Sequence, residues 1–292
     1  MTSLSDKPRT IFFIHVPKCA GTSLSVVLSN MYSTEEVYHI DNSRYEHSSE
    51  EFRQLPAQEK DHYTLVDGHM YYGLCSSMPH KVSHVTMLRD PVKRLVSLYN
   101  YGLQTPGVGW RTRMLKEKPS FVDFIKGHYT NTADNGIARF LSGQNLSVAA
   151  YGHCGPDTAE QAIANLKNHF CAIGFLEEFD QSMVLFKHVL GWRKQPLYKH
   201  RNVTPRFNWG DLKLLKYSQL TERDLGQIED YVRWDKLVHQ GAKEIYLDSL
   251  RQIPDFEEKL KQFKEENQAF QKKRSLIGYL KAKKFSLPKF FS

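Results

Sequence analysis

The stretch Ile11-Phe12-Phe13-Ile14-His15-Val16-Pro17-Lys18-Cys19-Ala20-Gly21-Thr22-Ser23 decides the fold. Its first six residues are β-rich and almost continuously apolar, the pattern of a strand covered on both faces in a parallel sheet. A tight polar turn follows. From Thr22 to Met31 the spacing becomes helical, with Leu24, Val27, Leu28 and Met31 on one face. At such a strand-to-helix turn the first backbone N–H groups of the helix are unpaired, and the helix dipole favours negative charge. The turn is therefore suited to an anion such as a phosphate. Gly21 permits close backbone approach, Thr22 and Ser23 offer hydroxyls, and Lys18 offers an ammonium.

The same rhythm continues outward. Tyr63 to Val66 and Val82 to Leu88 read as strands, and Pro91 to about Tyr101 as a helix with Asp90 at its N-cap. Phe170 to Phe175 reads as a further strand, with a helix from Asp180 to Leu190 behind it. Strands alternating with helices predict an α/β protein with a P-loop-like parallel sheet flanked by helices. The part from Thr221 on is mainly helical in spacing, and Thr221-Glu222-Arg223-Asp224 starts it as a capping-box variant. Gln104 to Ser120, with its glycines, prolines and basic residues, reads as a mobile loop.

With 292 residues, 40% of them apolar, the chain can build one sizeable core. The expected organisation is a catalytic domain over residues 1–250 and a basic helical extension over 251–292. The extension holds eleven Lys/Arg against five Asp/Glu, so most of the net charge of +8 resides there. Its last part, Lys272 to Ser292, mixes seven Lys/Arg with apolar residues and no acid. That pattern suits packing onto the domain or disorder, with weak membrane or polyanion contact as the alternative. No nucleic-acid motif is present. No run approaches the roughly 20 apolar residues of a membrane span, and no secretory pattern follows Met1, which gives cytoplasmic residence as the expectation. Cys19, Cys75, Cys154 and Cys171 are too widely spaced for a zinc site and read as reduced thiols, one pair left open. No metal is expected, since HExxH and clustered carboxylates are both missing from the sequence. Oligomeric state is not legible.

The turn departs from the ordinary phosphate loop GxxxxGK[ST], because its lysine precedes the glycine and Thr22 stands where that lysine would be. It resembles instead the donor loop of sulfotransferases that use 3'-phosphoadenosine-5'-phosphosulfate (PAPS), in particular the carbohydrate branch related to heparan sulfate 2-O-sulfotransferase. That family carries a second motif of the form RDPxxRxxSxY. Here Arg89-Asp90-Pro91-Val92-Lys93-Arg94-Leu95-Val96-Ser97-Leu98-Tyr99 matches it throughout. The resemblance implies that Pro17 to Ser23 hold the 5' end of the donor, and that Arg89 and Ser97 bind its 3'-phosphate. Lys93 and Arg94 read as solvated helix positions and Tyr99 as core. Weaker echoes lie at Asp134-Asn135-Gly136 with Arg139, at Gly174 to Asp180, and at Asn202-Val203-Thr204-Pro205-Arg206, where Arg206 is a candidate donor contact by resemblance.

Transfer to a hydroxyl needs a base as well as positive charge at the leaving oxygen. His69 follows the strand Leu65-Val66-Asp67-Gly68, and the relatives place their catalytic histidine in a Gly-His pair at this point. The resemblance makes His69 the base and Lys18 the stabiliser of the bridging oxygen. His15 reads as a packing residue, and Asp67 is assigned no role. The expected activity is sulfuryl transfer from PAPS to a hydroxyl-bearing acceptor, a glycan by resemblance, with Arg111, Arg113, Lys116 and Lys118 as possible contacts to an acidic sugar. An ATP-dependent small-molecule kinase is the rival enzyme reading, and a non-catalytic glycan- or membrane-binding protein the rival of another class.

Overall fold

The computed structural model describes residues 10–199 and 214–285, with backbone alone at 22 and 273–285. Five strands, β1 (Thr10–Ile14), β2 (Val37–His39), β3 (Leu65–Gly68), β4 (Val82–Leu88) and β5 (Phe170–Phe175), form one parallel sheet in the order β2-β3-β1-β4-β5. The helices are α1 (Gly21–Met31), α2 (Tyr45–Gln54), α3 (Ala57–Lys60), α4 (Pro91–Gln104), α5 (Arg111–Glu117), α6 (Phe121–Lys126), α7 (Gly136–Ser142), α8 (Pro156–His169), α9 (Phe179–Leu190), α10 (Glu222–Gln227), α11 (Arg233–Arg251) and α12 (Phe256–Phe285). The α/β class with a mainly helical C-terminal part is as expected from the sequence.

Every residue of β1 is buried, because it lies centrally between β3 and β4 and is covered by helices. Each large apolar side chain there contributes about 1.5–3 kcal/mol by leaving water, so the apolar run that identified the strand also holds the sheet together. From β1 the chain runs out to β2, returns through β3, and then crosses β1 to reach β4. Such a reversal leaves a crevice beyond the carboxyl end of the central strand. The loop from Val16 to Ala20 and the segments after β3 and β4 all open onto that edge.

Two expectations needed correction. Gln104 to Ser120 contains the regular helix α5, with Met114 fully buried and Trp110 packed over Gly102. The glycines and prolines that suggested a loop sit outside the helix, while Arg111 to Glu117 is made largely of good helix formers. Arg94 is not solvated but fully buried. Its Nη2 donates to Asp235 Oδ2 at 3.0 Å and its Nη1 to the Thr132 carbonyl at 3.0 Å, while Asp235 Oδ1 accepts the Ala138 N–H at 2.8 Å. Asn135 Oδ1 accepts the N–H groups of Trp234 and Asp235, and Asp134 pairs with Arg139. The Asp134-Asn135-Gly136 echo is thus a buried polar lock joining α4, α7 and α11. Buried networks of this kind fix one arrangement of their elements, although the Arg94 Nε here has no acceptor among the described residues.

The expected capping box at Thr221 is present, with Thr221 Oγ1 accepting the Asp224 N–H at 3.2 Å. Asp90 caps α4 by accepting the Lys93 N–H at 2.8 Å, and Tyr99 packs edge-on against Phe121 and Phe124. The first turns of α12 dock on α9 through Leu260 and Phe263, and Asn267 Oδ1 accepts the Tyr198 N–H at 2.9 Å. All four cysteines are free thiols. Among the described residues no helix is long and apolar enough to cross a membrane.

Candidate active site

The turn after β1 is folded by two residues in the left-handed region, Lys18 at φ 69° and Ala20 at φ 65°. Non-glycine residues enter this region rarely, and they do so where the surroundings impose it. A left-handed residue leading into a helix turns successive N–H groups toward one concavity, an anion-binding arrangement. Ala20 is the N-cap of α1, no side chain caps this end, and its first turn carries no acid. The positive end of the helix is therefore left open to a ligand. Within the turn, Pro17 has no N–H, and Cys19 donates its own to the Val16 carbonyl at 3.3 Å. The Cys19 thiol is buried and pushed up to about 12 by that burial, so it remains neutral. These two residues shape the turn, beside which Lys18, Ala20 and Ser23 are half-buried and Gly21 is buried.

Arg89 follows β4 and brings the second motif to the first. Its Nη1 donates to the Lys18 carbonyl at 3.4 Å, and its buried Nε has no partner among the described residues. A buried unpaired guanidinium N–H is costly unless something accepts from it. An anionic ligand in the crevice would supply that acceptor. Burial first, and the Arg89 charge second, push Lys18 down to about 8. Its ammonium stands 3.8 Å from the Tyr101 ring centroid, a cation–π contact. Ser97 is one helical turn before Tyr101 on α4, so it lies on the same face as the ring that meets Lys18. Tyr101 was not singled out in the sequence, although its spacing of four from Ser97 was a usable signal.

His69 stands directly after β3. Gly68 precedes it at φ 137°, and a Cβ there would fall 2.6 Å from the Ile40 carbonyl oxygen, so only glycine fits. The His69 N–H donates to Asn42 Oδ1 at 2.6 Å. Burial, and then the Lys18 charge, push the imidazole down to about 4, which leaves it unprotonated at neutral pH. Asp67 does not orient it, since that carboxylate pairs with His39 Nδ1 on β2. His15, read as a packing residue, lies beside His69 with ring centroids 4.5 Å apart. Gly21 has a second reason to be glycine, because a Cβ there would fall 1.5 Å from His15 Nε2.

The sequence-selected residues Lys18, His69 and Arg89 thus converge, with Ser97 on the adjoining helix face. Arg206 lies outside the described residues. Of the basic residues proposed to meet an acidic sugar, Arg113 donates to Glu117 and to the Gly127 carbonyl, and its guanidinium covers the Tyr129 ring at 4.0 Å. Arg111 Nε donates to the Leu103 carbonyl at 3.3 Å. Both are engaged within the protein. Among the described residues no group of three His, Cys, Asp or Glu is placed to hold a metal ion.

No curated protein matches the chain closely enough to count as a relative. The family described as Sulfotransferase family matches residues 2–204. That span includes all five strands, the Lys18 turn, His69 and the Arg89 motif. With more than half of its length matched, and both motifs meeting at one edge of a parallel sheet, this chain belongs to the sulfotransferase family, whose chemistry is the transfer of a sulfuryl group.

Proposed function

We propose that the protein transfers the sulfuryl group of PAPS directly, in line, to a hydroxyl of a carbohydrate acceptor. The observation that carries this reading is the Arg89 guanidinium, which touches the Lys18 turn while keeping a buried N–H without an acceptor. One bisphosphorylated nucleotide can span such a pair. The Lys18 turn and the open end of α1 would hold the 5' end, with Pro17 and Cys19 keeping the turn in shape and Thr22 contributing a backbone N–H. Arg89 and Ser97 would hold the 3'-phosphate, and Arg206 remains a candidate by family pattern alone.

PAPS supplies an activated sulfuryl group when bound. His69, neutral at pH 7, takes the acceptor's hydroxyl proton as its oxygen bonds to sulfur. Lys18 meets the negative charge that grows on the bridging oxygen as the sulfur–oxygen bond to phosphate breaks. 3'-Phosphoadenosine-5'-phosphate is the product. A hydroxyl-bearing acceptor follows from sulfuryl transfer, and its glycan nature rests on the likeness of the Lys18 and Arg89 motifs and the Gly68-His69 pair to the carbohydrate branch. Residues 1–250 are the proposed catalytic unit, and 251–292 the proposed extension.

A kinase would prefer ATP with magnesium. Ligands of the native state raise its unfolding midpoint, by about 2.7 kcal/mol of stability at a hundredfold excess over Kd. We expect thermal unfolding to be shifted upward by 3'-phosphoadenosine-5'-phosphate and little by ATP with magnesium. A larger shift with ATP would replace this reading with the kinase.

A further inference from the structure

Parallel pairing sets His15 opposite His69. The register joins Ile14 to Gly68, and the His15 N–H donates to the Gly68 carbonyl at 3.0 Å, so the next pair along the two chains is His15 with His69. Side chains at paired positions of neighbouring parallel strands emerge on the same face. The two rings meet edge to face, at 4.5 Å between centroids and 64° between planes. On its other side the His15 ring stacks flat on Phe13, at 5.5 Å and 10°. The backbone of Gly21 closes the third side, and no side chain could replace its hydrogen without striking the His15 ring. His15 is thus held from β1 and α1, and His69 is the one neighbour in this cluster that the proposed chemistry requires to keep a set orientation.

We propose that His15 is a positioning residue for His69, its clamped imidazole forming the wall that holds the His69 ring in line with the acceptor hydroxyl. Burial, followed by the charges of His69 and Lys18, lowers the His15 pKa well below the usual histidine value, so the wall is neutral. A neutral ring edge leaves room for His69 to become positively charged on taking a proton. The Gly21 requirement acquires a second meaning, since the residue that lets the donor approach also makes space for the support of the base. Misplacing a reacting group by about 1 Å costs on the order of 10²-fold in rate, which is the size of effect a lost wall would produce.

This inference rests on His69 being the base, and a double-mutant cycle separates the two claims. His15→Ala should lower kcat for sulfuryl transfer about 10- to 100-fold, with the donor KM nearly unchanged and the thermal midpoint lowered by the cavity it leaves. His15→Gln, which refills most of the space, should recover the greater part of that loss. In a His69→Ala background the same His15→Ala change should alter kcat less than about twofold, because nothing remains to be positioned. Equal losses in both backgrounds would reduce His15 to a structural residue and overturn the inference. So would a His15→Ala enzyme with wild-type kcat. If His69→Ala alone keeps full activity, the assignment of the base fails, and the inference falls with it.

Discussion

Replacing His69 by Ala is expected to lower kcat by about 10²–10⁴-fold, the range lost when a general base is removed. Replacing Lys18 by Ala is expected to lower it by about 10²–10³-fold, the range for one preorganised charge at a developing oxyanion, with weaker donor binding in addition. The two should differ in what they leave behind. His69→Ala keeps the Lys18 turn and Arg89, so it should still bind 3'-phosphoadenosine-5'-phosphate as wild type does.

The pH profile gives a second check on the same residues. His69 has its folded pKa lowered to about 4 by burial and by Lys18, so kcat/KM should hold level as pH falls from 7 to 5. A solvent-exposed histidine, titrating near 6.5, would already be losing activity there. On the alkaline side Lys18, lowered to about 8 by burial and Arg89, loses its proton in the ligand-free enzyme, and kcat/KM should decline above that pH. Steady-state transfer from labelled PAPS measures both limbs. Wild-type turnover in either variant would contradict these roles, whereas an acid limb centred near 6.5 would keep His69 as base and contradict only the burial that lowers its pKa.

Asp235→Ala is expected to produce the largest loss of stability of any change far from the site. Asp235 is wholly buried, pairs with Arg94 and accepts the Ala138 N–H. Without it, Arg94 keeps one bond to the Thr132 carbonyl and is otherwise an uncompensated charge in the interior. Breaking a buried pair by removing one partner costs about 3–5 kcal/mol. Denaturant unfolding should show that loss, and a change below about 1 kcal/mol would mean that Arg94 is not buried as described. Because α4 carries Ser97 and Tyr101, the variant that remains folded should also bind the donor product less tightly.

The strand, turn and first helix were legible because each follows from local rules. A short apolar run marks a doubly covered strand, and a polar turn with glycine marks the start of the helix. Lys18 is legible from the turn between strand and helix, and Arg89 from the likeness of its motif to the family's, with which its place at the end of a strand agrees. What was missed depends on partners that sequence order does not reveal. Arg94 reads as solvated because charge is normally exposed, and its partner Asp235 lies 141 positions away. His15 reads as packing in the sequence because its neighbour is fixed by the register of β1 on β3, which alternation within one strand cannot show. The Asp134-Asn135-Gly136 echo has no role legible in the sequence, because the partners that make it a lock between helices lie on α4 and α11. Basic residues at Arg111 and Arg113 suggested an acidic acceptor, yet both side chains are held by bonds inside the protein.

The most direct measurement is calorimetric titration of wild type and Arg89→Ala with two nucleotides, 3'-phosphoadenosine-5'-phosphate and adenosine 5'-phosphate. If the Lys18 turn and Arg89 grip opposite ends of one molecule, wild type prefers the 3'-phosphorylated ligand, and Arg89→Ala loses about 10- to 100-fold of that preference while its affinity for adenosine 5'-phosphate stays the same. An Arg89→Ala protein that discriminates between the two as well as wild type does would contradict it.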